Sequence, residues 1–257
     1  MRGIRVLSAV AACAVLASTL LACAQEPERS ASKPSSAAPS TSSPAPKPKP
    51  TTPAFDRAAH SIDDPQSIWV VSNKRRALKP VDFAPSDLAM PEGVENEFAQ
   101  PLRAPAAAAV VQLIRGAEQA GLTVRIISAY RDYATQVTLY DRYVERDGKQ
   151  QADTYSARPG HSEHQTGLAV DLDDFGDCYL AACFGRTPAG TWIAAHAAEY
   201  GFVIRYPEGK QGVTGFMPEP WHLRYVGPEL AAEMKRTGVA TLEEFFELPA
   251  APDYATP

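Results

Sequence analysis

The stretch that most limits what this chain can fold into runs from Gly167 to Asp173. Leu168, Val170 and Leu172 alternate with Gly167, Ala169, Asp171 and Asp173, and a period of two marks a β-strand with one apolar face. That face must lie on a core. The opposite face carries small residues and then carboxylates, which leaves room for something to approach the backbone and aims Asp171 at it. A second alternating run, Trp221 to Val226, puts His222 and Arg224 on one face and Trp221, Leu223 and Tyr225 on the other. Pro220 has no N–H for a ladder, so this strand starts there or lies on an edge.

The other elements follow from spacing and punctuation. Ile68-Trp69-Val70-Val71 reads as a short buried strand, and residues 73–91, broken by three prolines, as a wrapping loop. Pro105 suits the first turn of a helix whose stripe is Val110, Val111, Leu113, Ile114 and Ala117, ending at Gly121. Leu122 to Ser128 is rich in β-branched residues and reads as a strand. Tyr133, Val137, Tyr140 and Val144 recur at helical spacing, which predicts a helix from Tyr133 to Arg146 with Asp132 as its N-cap. Thr191 is the expected cap of a helix through Trp192, Ile193, Ala195 and Ala198 that stops at Gly201. Phe202 to Tyr206 reads as another strand, Pro228 to Gly238 as a helix, and Thr241-Leu242-Glu243-Glu244 as a capping-box start. The sum is an α+β domain, a small antiparallel sheet flanked by helices.

Composition bears on where that domain works. Of the 23 prolines in 257 residues the excess lies near the N-terminus. Arg2 and Arg5 precede an apolar run from Val6 to Ala22, the pattern of an export leader. Its end, Leu20-Leu21-Ala22-Cys23, resembles a bacterial lipoprotein processing site with Cys23 as the lipidated residue; an ordinary cleaved leader or an uncleaved anchor are the alternatives. All three place the remainder outside the cytoplasmic membrane. Residues 23–60 are Pro-, Ser- and Ala-rich and predict a disordered tether, residues 61–249 the folded domain, and residues 250–257 a disordered tail. Cys178 and Cys183 are then the only cysteine pair of the folded part, and in an oxidising compartment they are expected to form a disulfide. A net charge of −5 with scattered basic residues argues against nucleic acid as a partner. The expected state is a monomer.

Candidate chemistry gathers in two places. Among five histidines, His60 and His196 suit structural or exposed roles. His161 and His164 follow Pro159-Gly160, which argues for a loop. His164 with Asp171 seven residues on, and Glu219 three residues before His222, supply two imidazoles and two carboxylates. Imidazole and carboxylate ligands need no reduced thiol and leave zinc an open position for water. A glutamate close to the metal, without being a ligand, can take a proton from that water and return it to a leaving nitrogen. An arginine could share the charge of the oxyanion.

Ser162-Glu163-His164-Gln165-Thr166-Gly167-Leu168-Ala169-Val170-Asp171 resembles the zinc signature of VanY-type D-alanyl-D-alanine carboxypeptidases. Glu219-Pro220-Trp221-His222 resembles their second motif, and Ser128-Ala129-Tyr130-Arg131 with Gln136 a third. The likeness spans about Val71 to Glu247. It implies the fold shared by these enzymes, the lysostaphin-type endopeptidases and the hedgehog signalling domain, with one zinc ion per chain. Carried over residue by residue, it implies His164, Asp171 and His222 as ligands, Glu219 as general base and acid, and Arg131 beside the scissile carbonyl. Ser162 and Gln136 would help hold the substrate's terminal carboxylate and Tyr130 would contact the substrate, with His161 and Trp221 behind the ligands. The Cys178–Cys183 loop belongs to none of the motifs and would shape one wall of the cleft.

The implied activity is removal of the terminal D-Ala from peptidoglycan stem peptides, which export and a membrane tether would suit. Removal of D-Ala from a tetrapeptide (L,D) or cleavage inside the stem are alternatives of the same class. A non-catalytic wall-binding module is the alternative of another class, and it would have no use for Glu219. A serine peptidase is disfavoured because the folded part has no Ser-x-x-Lys.

Overall fold

The computed structural model describes residues 54–255. The leader, Cys23 and nearly all of the expected tether lie outside the described residues.

The centre is a four-stranded antiparallel sheet in the order β3-β4-β6-β5, where β3 is Arg125–Ser128, β4 Ala169–Asp173, β5 Phe202–Tyr206 and β6 Glu219–Tyr225. A separate two-stranded ribbon pairs β1 (Leu88–Ala89) with β2 (Leu102–Arg103). Helix α1 (Ala104–Gln119) lays Val110, Leu113, Ile114 and Ala117 on the apolar face of the sheet, which offers Ile126, Val170, Leu172 and Leu223. Each fully buried Val, Leu or Ile among them contributes about 1.5–3 kcal/mol. Val111, expected in that stripe, is only half-buried. A second cluster joins Trp69, Val71, Val226, Leu230, Met234 and Phe245. It fastens α6 (Pro228–Thr237) and α7 (Leu242–Phe245) to the segment that wraps the start of the domain.

Several local expectations hold for the physical reasons given. Asp132 caps α2 (Tyr133–Asp147) by accepting from the Thr135 N–H at 2.7 Å. Thr241 caps α7 by accepting from the Glu244 N–H at 3.2 Å. β6 begins at Glu219 and sits between β4 and β5, so Pro220 marks the start of a central strand rather than an edge. Short helices α3 (Lys149–Ala152) and α5 (Gln211–Thr214) complete the helical elements that the sheet's connections carry.

Other expectations are corrected. Residues 68–71 form a turn at Ile68 and Trp69 followed by irregular chain instead of a strand, because their carbonyls are taken by side chains: Arg224 bonds the Ile68 and Val70 oxygens and Arg76 that of Val71. Helix α4 (Pro188–His196) is capped by Thr187, which accepts from the Gly190 N–H at 3.1 Å, and not by Thr191. A Cβ on Gly190 would lie 1.9 Å from the Phe184 carbonyl oxygen, so the helix can start there only with glycine. The tail expected to be disordered from residue 250 is folded through Tyr254. Ala251 is fully buried and donates to the Val213 carbonyl at 2.7 Å, and Tyr254 stacks under the Arg158 guanidinium. At the other end the folded part starts before residue 61, since Phe55 stacks on Trp69.

Candidate metal centre

Strand register puts the first two candidate ligands side by side. In the β4–β6 ladder Asp171 lies opposite His222, and Ala169 opposite Arg224. Cross-strand partners have neighbouring Cβ atoms, so two residues 51 positions apart in the chain share one spot on the polar face. His164 reaches the same spot from a 3-10 turn, Glu163–Thr166, that Gly167 ends in the left-handed conformation at φ 68°. A Cβ on Gly167 would sit 3.0 Å from Arg103 Cγ and 3.3 Å from the Arg103 nitrogen. The small residue therefore serves a close approach of backbone, whose bond runs from Arg103 N–H to the Gly167 oxygen at 2.8 Å.

The three side chains converge on one another. Ligand atoms of His164, Asp171 and His222 lie within 4.8 Å of each other, and all three residues are buried. His164 Nε2 is 3.3 Å from Asp171 Oδ2, and His222 Nδ1 is 3.0 Å from Asp171 Oδ1. Ligands held about 2.0–2.1 Å from a tetrahedral zinc are about 3.4 Å apart, so these separations fit one ion. Orientation agrees. The ring Nδ1 of His164 is 2.6 Å from the Ala129 carbonyl oxygen, so Nδ1 carries the proton and Nε2 presents its lone pair to the centre. Asp171 Oδ1 is buried without a hydrogen-bond partner despite the nearby imidazole. The two groups face a common point rather than each other, as a donor set for a cation would.

Charge at the centre is self-consistent without metal. Burial alone would raise Asp171, but His164 and His222 hold it well below the usual carboxylate range. Burial works against a charge on His222 too, yet Asp171, then Glu163 and Glu219, push it up to about 9. Burial lowers His164, with Asp171 opposing and Arg131 adding to it. Glu219 is pushed up to about 8, chiefly by burial, with His222 and Arg131 opposing and Asp171 adding repulsion.

The sign of the resulting pH dependence is fixed. His222 and Glu219 both bind their protons more tightly folded than unfolded, where 6.5 and 4.5 apply. Their stabilisation is complete below those unfolded values and is lost as pH rises through about 8 and about 9. The metal-free protein should therefore lose thermal stability as pH rises from 4.5, where Glu219 begins to contribute, to about 9, most steeply above 6.5, where His222 adds to it. Zinc should flatten that loss, because a dication replaces the proton. Calorimetry in chelator and in zinc checks this; equal slopes in both would contradict a metal at these residues.

A cleft of about 970 Å3 opens over the centre. Glu219 lies at its floor, 7% exposed, with Oε2 3.6 Å from His222 Nδ1. Arg131 lines the cleft, and its backbone N–H bonds the His164 carbonyl at 3.2 Å. The segment from Ala129 to Arg131 thus both orients His164 and supplies a cation. Ser162 and Trp221 line the cleft as well, and Trp221 also packs into the core. The disulfide joins Cys178 to Cys183, with Cα atoms 5.5 Å apart, and Tyr179 and Leu180 within its loop line the cleft wall.

Three expected positions differ. Tyr130 is not among the residues lining the cleft; its chain is drawn away by a bond from its N–H to the Pro101 oxygen. His161 does not stand behind a ligand: its Nδ1 is 2.7 Å from the Asn73 oxygen and its ring meets Tyr254 edge-on. Gln136 lines the cleft, but its amide nitrogen is given to the Ala157 oxygen at 2.6 Å, and its unpartnered atom is Oε1. An acceptor cannot hold a carboxylate; it can take a substrate N–H. The polar face expected to be open is instead filled below His222 by Arg224, Glu163, Arg205 and Glu243, all buried. Tyr206, unmarked in the sequence, packs its ring 4.9 Å from that of His222.

Residues 99–228, half of the chain, match the profile of the VanY family, D-alanyl-D-alanine carboxypeptidase. The chain belongs to the VanY family. It is 39% identical over 193 residues to the Bacillus subtilis (strain 168) protein YodJ, covering 73% of this chain and 70% of that one. Among solved structures it is similar to the LdcB LD-carboxypeptidase, with a TM-score of 0.66 and 39% identity over 71% of this chain and 87% of that one. It is also similar to a vancomycin resistance D,D-pentapeptidase VanY in complex with Zn(II), with a TM-score of 0.58, 27% identity and coverage of 68% and 97%. As in these VanY-type folds, the α+β architecture read from the sequence is the one present. The chain is accordingly a metallopeptidase of the carboxypeptidase type.

Proposed function

We propose that this VanY-family protein is a zinc-dependent carboxypeptidase that removes the C-terminal D-Ala of peptidoglycan stem peptides. His164, Asp171 and His222 would hold one zinc ion. The observation that carries the reading is the pairing of Asp171 and His222 across β4 and β6, with His164 and Glu219, at the floor of one cleft. Zinc held there would supply a Lewis acid for a water molecule and for the scissile carbonyl.

The remaining roles fall to this chain's own groups. Glu219 takes a proton from the attacking water and gives it to the leaving nitrogen. Arg131 sets a positive charge beside the developing oxyanion. Ser162 contacts the substrate, and Gln136 accepts from a substrate N–H. Burial of Glu219 keeps bulk water from the proton it carries.

A second reading is removal of the single D-Ala of a tetrapeptide stem. It is favoured by the higher identity and TM-score to the LD-carboxypeptidase than to the D,D-pentapeptidase. Both readings place the enzyme outside the cytoplasmic membrane, tethered through Cys23, and the Cys178–Cys183 disulfide supports an oxidising compartment. Muropeptides ending in D-Ala-D-Ala or in one D-Ala, incubated with the protein and weighed by mass spectrometry with and without chelator, separate the two. Loss of one alanine that chelator stops is expected. Chelator-indifferent hydrolysis that β-lactams inhibit would refute the metal reading.

A further inference from the structure

Below the metal centre lies a closed set of four buried charges. Glu163 Oε1 accepts from Arg205 Nε and from an Arg224 terminal nitrogen, each at 2.8 Å. Arg205 also donates to both oxygens of Glu243, at 2.9 and 2.7 Å, and Asn73 donates to Glu243 at 2.9 Å. Arg224 spends its remaining donors on the carbonyls of Ile68, Val70 and Tyr225. All four ionic side chains are at most 1% exposed. Two carboxylates balance two guanidiniums, so the set is neutral and needs no further ion.

One atom is left over. Glu163 Oε2 is buried with no hydrogen-bond partner, and so is His222 Nε2. They lie 3.8 Å apart. His222 turns its other nitrogen, Nδ1, toward Asp171 and Glu219. Buried polar atoms are rarely left unpaired, and an imidazole that binds metal through one nitrogen usually donates the other N–H to a carboxylate.

From this we infer that Glu163 is a positioning residue for the metal centre. It takes the Nε2–H of His222, fixes the ring as the Nδ1 ligand, and makes that nitrogen a stronger donor. Arg205 and Arg224 hold its other oxygen, so the carboxylate cannot rotate away or turn to the metal itself. Glu243, behind Arg205, keeps the set neutral and leaves Glu163 its full charge for the imidazole. The inference rests on the reading of His222 as a ligand.

Glu163→Gln tests it, because the amide keeps the shape but must set NH2 against either an arginine or the His222 N–H. Zinc affinity, measured by competition with a chromophoric chelator, should fall about 10–100-fold. In the zinc-loaded wild type, proton NMR should show a downfield, hydrogen-bonded N–H of the His222 ring, lost in the variant. kcat should drop with KM little changed. Leu230→Ala, which empties a core position away from the site, should lower thermal stability while leaving zinc affinity unaltered. Zinc affinity within about threefold of wild type in Glu163→Gln, or an equal loss in Leu230→Ala, would overturn the inference. Should Glu163→Gln not fold, the wild type still decides: a zinc-loaded His222 without a hydrogen-bonded Nε2–H overturns it. Failure of the wild type to bind zinc at all would instead overturn the reading of the ligands.

Discussion

Glu219→Gln is expected to keep zinc bound and to lower kcat by about 10³-fold, within the range general acid–base groups supply. The glutamate is buried at the cleft floor beside His222 yet stands outside the ligand triad. The amide preserves its volume and its contacts but cannot accept a proton from water at neutral pH. Nothing else at the cleft floor is placed to substitute: Asp171 is held far below the range in which it could carry a proton, and His164 and His222 would be taken up as ligands of the proposed zinc. Zinc stoichiometry and single-turnover hydrolysis measured on one preparation check the result. Hydrolysis retained within tenfold would remove Glu219 from the mechanism.

Asp171→Asn should have the largest effect on the metal. Each carboxylate oxygen faces a different imidazole, Oδ2 toward His164 and Oδ1 toward His222, so this one residue neutralises both ends of the donor set. Structural zinc sites bind with about 10–16 kcal/mol from four ligands, so one ligand's share is about 2.5–4 kcal/mol. At about 1.4 kcal/mol per factor of ten that is a loss on the order of 10²–10³-fold in zinc affinity. Turnover at sub-saturating zinc should vanish with it. His222 should also lose its first support against burial, so its proton affinity should fall. The pH-dependent loss of stability in the metal-free protein should then move to lower pH. Unchanged zinc affinity would show that the ion sits elsewhere.

Much of this was readable in the chain because it is local. The alternation in β4 and β6 reflects one apolar face, so the strands and the facing of Asp171 and His222 follow from period two. Asp132 and Thr241 cap their helices through bonds to residues three positions on, which spacing reveals. Where reading failed, a distant group had taken over. Residues 68–71 have the composition of a strand, but Arg224 and Arg76 occupy the carbonyls a neighbouring strand would need. The terminal segment shows no periodicity and is expected to be disordered, yet a bond from Ala251 to Val213 and the Arg158–Tyr254 stack hold it down.

The sequence alone determined the donor types, their order in the chain and the family, because those depend on residue identity within short motifs. The tertiary structure alone decided how the metal centre is supported. Glu163 meets Arg205 across 42 residues and Arg224 across 61, and Arg205 meets Glu243 across 38. No periodicity signals such partners. Their pairing is imposed by burial, which makes an unmatched charge costly and so forces opposite charges to meet wherever the fold brings them together.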